Sequence, residues 1–172
     1  MYKLVYYPDP LLKTISEPIL DFNLEALKTI GTDMIEAIID NNGIGLAAIQ
    51  IGQPIRMMIL KTREADTIIY MAMCNPEVVQ CNTRRVTGQE GCLSFPGIRV
   101  DIDRPEDIIL KWHNLIGAEY TTAFKGIEAR CIQHEIDHMN GITFIDKLPD
   151  FRRIMIQQKL TTMKIAYNKV VL

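Results

Sequence analysis

The stretch Gln133-His134-Glu135-Ile136-Asp137-His138-Met139-Asn140-Gly141 constrains this chain more than any other. On a helix, two histidines four residues apart share one face, about 6 Å apart along the axis. Both imidazoles then reach one metal ion, and Glu135 can move the proton of a water held there. The chain has only three histidines, and two of them stand in this pattern. A helix from about Gly126 to Met139 must therefore carry the pair, with Gly141 ending it.

The rest of the pattern is mixed. Pro8, Pro10 and Pro18 make residues 1–20 an extended arm with one short helical turn at most. Leu24, Leu27, Gly31, Met34, Ile35 and Ile38 keep helical spacing over about 22–40, and Asn41-Asn42-Gly43 stops that helix. From Ile44 to about Thr121 the pattern is β-like. Candidate strands are Ile55–Leu60, Thr67–Met73, Glu77–Cys81, Val100–Ile102, Ile108–Trp112 and Ala118–Thr121, with a turn at Asn114–Gly117. Leu148-Pro149-Asp150 introduces a last helix, with Asp150 as its N-cap. This order predicts an α+β fold: short-stranded mixed or antiparallel sheets around the His-bearing helix, with an N-terminal and a C-terminal helix. At 172 residues, with no Gly/Ser linker or repeat, one catalytic domain over 1–172 is expected.

Composition excludes several classes. A net charge of -2 gives no overall positive field for DNA. No apolar run approaches the roughly 20 residues that span a bilayer, so no membrane partner is expected. The N-terminus lacks a signal or transit pattern. The four cysteines (74, 81, 92 and 131) form no close-spaced motif, which fits reduced thiols in a cytoplasm.

Two histidines leave a catalytic metal one protein ligand short. A third His spaced as HExxHxxGxxH would fall at Phe144, and no Glu follows Glu135. Asp146 and Asp150 remain as formal candidates, though they resemble a turn and a cap. Cys131 shares a stripe with His134, but 131 and 138 lie about 10.5 Å apart along a helix, too far for bonds of about 2.0–2.3 Å to one ion. Cys92, in Gln89-Glu90-Gly91-Cys92-Leu93-Ser94-Phe95-Pro96-Gly97, is the better choice, beside a bare glycine and before a Pro-Gly turn.

Three motifs in order, Gly43-Ile44-Gly45-Leu46-Ala47-Ala48-Ile49-Gln50, Glu90-Gly91-Cys92-Leu93-Ser94 and Gln133-His134-Glu135-Ile136-Asp137-His138, closely resemble the peptide deformylases. Tyr7–Leu12 and Gly141–Asp146 extend the likeness from near residue 7 to near 150. The resemblance implies removal of the formyl group from N-formylmethionine on nascent bacterial polypeptides, with release of formate. It implies one divalent metal, ferrous iron in the cell, with zinc, nickel or cobalt able to occupy the site. Cys92, His134 and His138 correspond to the ligands, and Glu135 to the general base and later acid. Gln50 and the Leu93 backbone N–H correspond to the oxyanion donors. Ile44, Gly45, Ile127 and Cys131 correspond to the methionine pocket, and Arg99 to a residue that holds the peptide. Glu90 and Gln133 stand in supporting positions. Departures are Gly88, where many members have a larger apolar residue, Ile49 in place of Pro, and Met139-Asn140.

Phe151–Leu172 carries five basic residues (Arg152, Arg153, Lys159, Lys164 and Lys169) and no acidic one. Ile154, Met155, Leu160, Met163 and Tyr167 form an apolar stripe expected to seat this helix with its basic side outward. Some bacterial deformylases touch ribosomal RNA through this end, and the resemblance extends that partner to 151–172. On the residues alone, an ordinary metallopeptidase and a metal-stabilised module without catalysis are the rival readings.

Overall fold

Met57, Met58, Ile59 and Leu60 are all buried, which one strand achieves only when both faces of its sheet are covered. In the computed structural model, which describes residues 2–171, that is the arrangement around them. Met1 and Leu172, the ends of the expected domain, lie outside the described residues. Strands β1 (Gly45–Ala47), β2 (Met57–Glu64), β3 (Thr67–Cys81), β6 (Asp107–His113) and β7 (Glu119–Lys125) form an antiparallel sheet in the order β1-β2-β3-β6-β7. Strands β4 (Arg85–Gly91) and β5 (Arg99–Pro105) form a separate antiparallel ribbon.

The period of two sorts the sheet residues between two helices. Met57 and Ile59 pack with Leu27, Met34, Ala37 and Ile38 of α1 (Leu24–Asp40). Met58 and Leu60 pack with Ala129, Ile132 and Met139 of α2 (Gly126–Met139). A third cluster joins Phe95, Ile98 and Ile102 to Leu12, Phe144 and Leu160, the last from α3 (Asp150–Val171). The architecture is the expected α+β one, with the His-bearing helix at its centre.

Local sequence accounts for the element ends. Asn23 caps α1 by accepting from Ala26 N–H at 3.2 Å, and Asn42, at φ 51°, turns the chain out of it. Gly141 ends α2 at φ 69°, where any Cβ would press on the Lys13 backbone. The arm expected over 1–20 contains one 3-10 turn, Pro10–Lys13, and runs on to the site. Its Val5 N–H donates to Gln50 O at 2.8 Å, Tyr7 N–H to Ser94 O at 3.0 Å and Ser16 N–H to Met139 O at 2.8 Å.

Five sequence expectations are corrected. Thr67–Met73 and Glu77–Cys81 are one strand: Asn75-Pro76 makes a bulge with Asn75 at φ 49° and does not break it. β1 and β4 were not expected. Asp150 is the first residue of α3 and not its cap. Ile154 and Met155 do not seat that helix, being 73% and 80% exposed. The seat is Ile156, Leu160 and Met163, with Tyr167 donating its hydroxyl to Asp9 Oδ2 at 2.9 Å. Nor is the basic side turned wholly outward. Arg152, Arg153 and Lys159 donate to main-chain carbonyls of Asp101, Asp146, Leu148 and Gly97, and Lys164 lies 5.7 Å from the Tyr7 ring. Among the described residues, no helix is long and apolar enough to cross a membrane.

Candidate metal centre

Three elements converge on one point. The ligand atoms of Cys92, His134 and His138 all lie within 4.8 Å of one another. Cys92 follows the last residue of β4, so the ribbon fixes where its thiol stands; Sγ is 3.1 Å from His138 Nε2. The two imidazoles come from one face of α2, with ring centroids 5.0 Å apart. A thiol and two imidazoles are the donor set of a borderline-soft divalent cation. The other candidates for third ligand are occupied elsewhere. Asp146 accepts from Thr143 N–H and Oγ1 at 2.7 Å and pairs with Lys13, and Asp150 opens α3. Phe144, where a third His would have stood, lies 5.7 Å from the His134 ring as an aromatic wall.

The ligands are held by buried charge. Glu90 Oε2 accepts from His134 Nδ1 at 2.9 Å, which leaves the Nε2 lone pair of that ring for a cation. Arg104 grips the same carboxylate through two bonds, 2.6 and 2.8 Å, and Arg130 adds a third at 2.9 Å. Burial raises the Glu90 carboxyl, but the hydrogen bonds and charges of Arg104 and His134 win and bring it down to about 2. Burial also opposes charge on His134, yet hydrogen bonds to Cys92 and Glu90 carry it up to about 10, so a cation binding at Nε2 displaces the second ring proton. His138 is pushed well below its usual value by burial, and its Nδ1 has no hydrogen-bond partner among the described residues. Arg104 continues to Asp137 at 2.7 Å, and Gln133 Nε2 donates to Pro105 O at 3.0 Å, so ribbon and helix are cross-linked twice more.

Beside the ligands lies a cavity of about 470 Å³. Gln50, Leu93, Ile44, Gly45, Arg99, Ile127, Cys131 and Glu135 all line it, together with Cys92 and His134. His138, fully buried, does not. Glu135 is 4% exposed, and its Oε2 has no partner among the described residues. Burial pushes its carboxyl up to about 7. Gln50 is held by its Oε1 accepting from Ala47 N–H at 2.9 Å, which aims Nε2 at Cys92 Sγ (3.3 Å) and Ser94 Oγ (3.2 Å). The Leu93 N–H makes no hydrogen bond among the described residues. Gly45 permits the approach of α2: a Cβ there would collide with Cys131 Sγ and sit 3.2 Å from Glu135 Oε1. Ile44 and Ile127 are half-open walls, at 48% and 62% exposure, and Arg99 is exposed at the rim.

Sequence reasoning missed two arginines. Arg104 stands two residues from buried Ile102 on the inward face of β5, so strand alternation could have marked it as a charge in need of a partner. Arg130 lies one helical turn before His134 on the face that also carries Ile127 and Cys131, and that spacing placed it at the cavity.

The chain resembles known proteins in sequence and in fold. The family model described as polypeptide deformylase matches residues 1–153. A peptide deformylase of Brucella suis biovar 1 is 37% identical over 157 residues, covering 91% of this chain and 89% of its own. One of Agrobacterium fabrum is 38% identical over 168 residues, covering 97% of each. Among solved structures, a peptide deformylase from Legionella pneumophila superposes with a TM-score of 0.87 at 35% identity, covering 98% of both chains. One from Plasmodium falciparum gives 0.89 at 32% identity, covering 97% of this chain and 98% of its own.

Proposed function

The chain belongs to the polypeptide deformylase family, and we propose on that footing how its cleft removes the N-formyl group from formylmethionine at the start of nascent polypeptides and releases formate. The observation that carries the reading is the Cys92/His134/His138 cluster opening onto a cavity that also holds Glu135 and Gln50. Cys92, His134 and His138 hold a divalent cation, ferrous iron in the cell, with zinc, nickel or cobalt able to replace it. When bound, the cation supplies Lewis acidity to the formyl oxygen and lowers the pKa of a water.

Glu135 takes the proton of the attacking water and later gives it to the leaving amine. Burial raises its carboxyl, which favours holding the proton for the leaving amine, and a neighbouring dication would lower it, which favours the carboxylate that takes the proton first. The Gln50 amide, already aimed by Ala47 and Ser94, and the Leu93 N–H donate to the carbonyl oxygen as its charge grows. Loss of one such donor costs about 3–4 kcal/mol in the transition state. Ile44, Gly45, Ile127 and Cys131 receive the first side chain, and Arg99 holds the peptide beyond it. The Cys131 thiol, raised well above its usual value by burial, is a wall and not a nucleophile.

This reading makes 1–172 a single catalytic domain working in the cytoplasm, where nascent chains emerge. A ribosome contact through 151–172 belongs to the same proposal, supported by the five basic residues and by Phe151, Ile154 and Met155 standing exposed on α3. The test is formate release from a formyl-Met-Ala peptide by protein loaded anaerobically with Fe(II). Cleavage of unformylated peptides without formate release would place the chain among ordinary metallopeptidases, and metal binding without turnover would leave only a structural site.

A further inference from the structure

Gly88 precedes Gln89, which lines the cavity, yet does not line it itself. Arg130 covers it. A Cβ on Gly88 would lie 3.0 Å from both Cζ and Nη2 of that guanidinium and 3.1 Å from Nε, so the bare backbone makes the seat. The plane is fixed there by Nη1 donating to Gly88 O at 3.3 Å, Ile102 O at 2.8 Å and Glu90 Oε1 at 2.9 Å, and by Nη2 donating to Val86 O at 2.5 Å. A guanidinium carries five N–H donors, and Nε takes no part in these bonds.

Arg130 is no surface charge. Its side chain is 12% exposed, and it lines the same cavity as Ile127, Cys131, His134 and Glu135. On α2 the positions 127, 130, 131 and 134 make one continuous face. The wall that receives the substrate's first side chain therefore runs from an isoleucine through a cation to a metal ligand.

We propose that Arg130, seated on Gly88, is a specificity-determining residue that gives the first-side-chain pocket a cationic, hydrogen-bonding wall and admits side chains ending in a hydrogen-bond acceptor. Methionine sulfoxide is the member of that class nearest to methionine, with the same chain length and one added oxygen. An all-apolar wall strands that oxygen without a partner, whereas a guanidinium N–H accepts it into a charge-assisted bond. The inference rests on the deformylase reading of the cavity and adds a substrate class to it.

The test compares kcat/KM for a formyl-methionine-sulfoxide peptide with that for its formyl-norleucine counterpart, using metal-loaded enzyme. The ratio is the readout because Arg130 also supports Glu90, and loss of that support lowers both rates alike. Arg130→Met is expected to lower the ratio about tenfold, and Arg130→Lys to restore part of it. Gly88→Ala keeps the arginine but pushes it off its seat, and moves the ratio the same way should Arg130→Met fail to fold. A ratio unchanged in these variants, or a parallel loss on both peptides, overturns the proposal. Failure of the wild-type protein to release formate from a formyl-methionyl peptide would instead overturn the function on which it rests.

Discussion

Helices α2 and α3 both pack near the β4–β5 ribbon, and they handle charge in opposite ways. In α2, His134, Glu135 and His138 are buried, and the arginines that serve them, Arg104 and Arg130, are 4% and 12% exposed at their side chains. In α3, Leu160 is the one fully buried side chain described, and Arg152 and Lys159 end on main-chain carbonyls of exposed residues. A buried charge is tolerable only with its partners in place, so the α2 network is all-or-none. Solvent already reaches Arg152, Lys159, Lys164 and Lys169, so their contacts are cheap to make and to lose.

The contrast is sharpest at the chemistry. Glu135→Gln is expected to cut formate release by about 10² to 10⁴-fold while metal content stays as in the wild type. Cys92→Ala should lose the metal itself, whereas Cys74→Ala, in the α1 core, should keep it; elemental analysis beside the assay separates the two. A tightly bound metal in Cys92→Ala would mean that the site was drawn with the wrong ligand.

Next in size is the support. Arg104→Met strands the Glu90 carboxylate against one remaining arginine and should cost about 3–5 kcal/mol in urea unfolding. The same network predicts the acid limb of stability. Glu90 sits at about 2 in the fold against 4.5 for a free carboxyl, so its contribution is whole above about 4.5 and drains away as pH falls toward 2. Glu90→Gln should flatten that part of the profile; an unchanged acid limb would mean that the carboxylate contributes nothing to it.

On the other helix, Leu160→Ala should cost about 2 kcal/mol or more, as other buried leucines do. Hydrogen exchange should locate the loosening in α3, with α2 still protected. Smallest of all, Arg152→Ala and Met155→Gln should stay within about 0.5 kcal/mol. A large loss there would break the contrast between the helices.

The same contrast explains what the sequence made legible. The helix that carries the histidine pair was readable from Gly126 to Met139 because histidine spacing, apolar period and a glycine stop all agree over those residues. Choosing Cys92 needed more than local pattern, since only folding brings residue 92 beside residue 138. β4 was missed because Arg85-Val86-Thr87-Gly88-Gln89 is polar and largely solvent-facing, and β1 because three residues are too few to show a period. The stripe on α3 was misplaced because apolar residues stand on more than one side of that helix. Periodicity alone could not choose between Ile154 and Ile156.

The N-terminal arm, tied to Gln50, Ser94 and Met139, carries a further consequence for synthesis. These bonds join the first residues of the chain to positions spread across its length, and the ligands at 92, 134 and 138 are themselves far apart in order of translation. Contacts so non-local form late, after loop closures whose entropy nothing local repays. The catalytic centre thus has no precursor in the first half of the polypeptide.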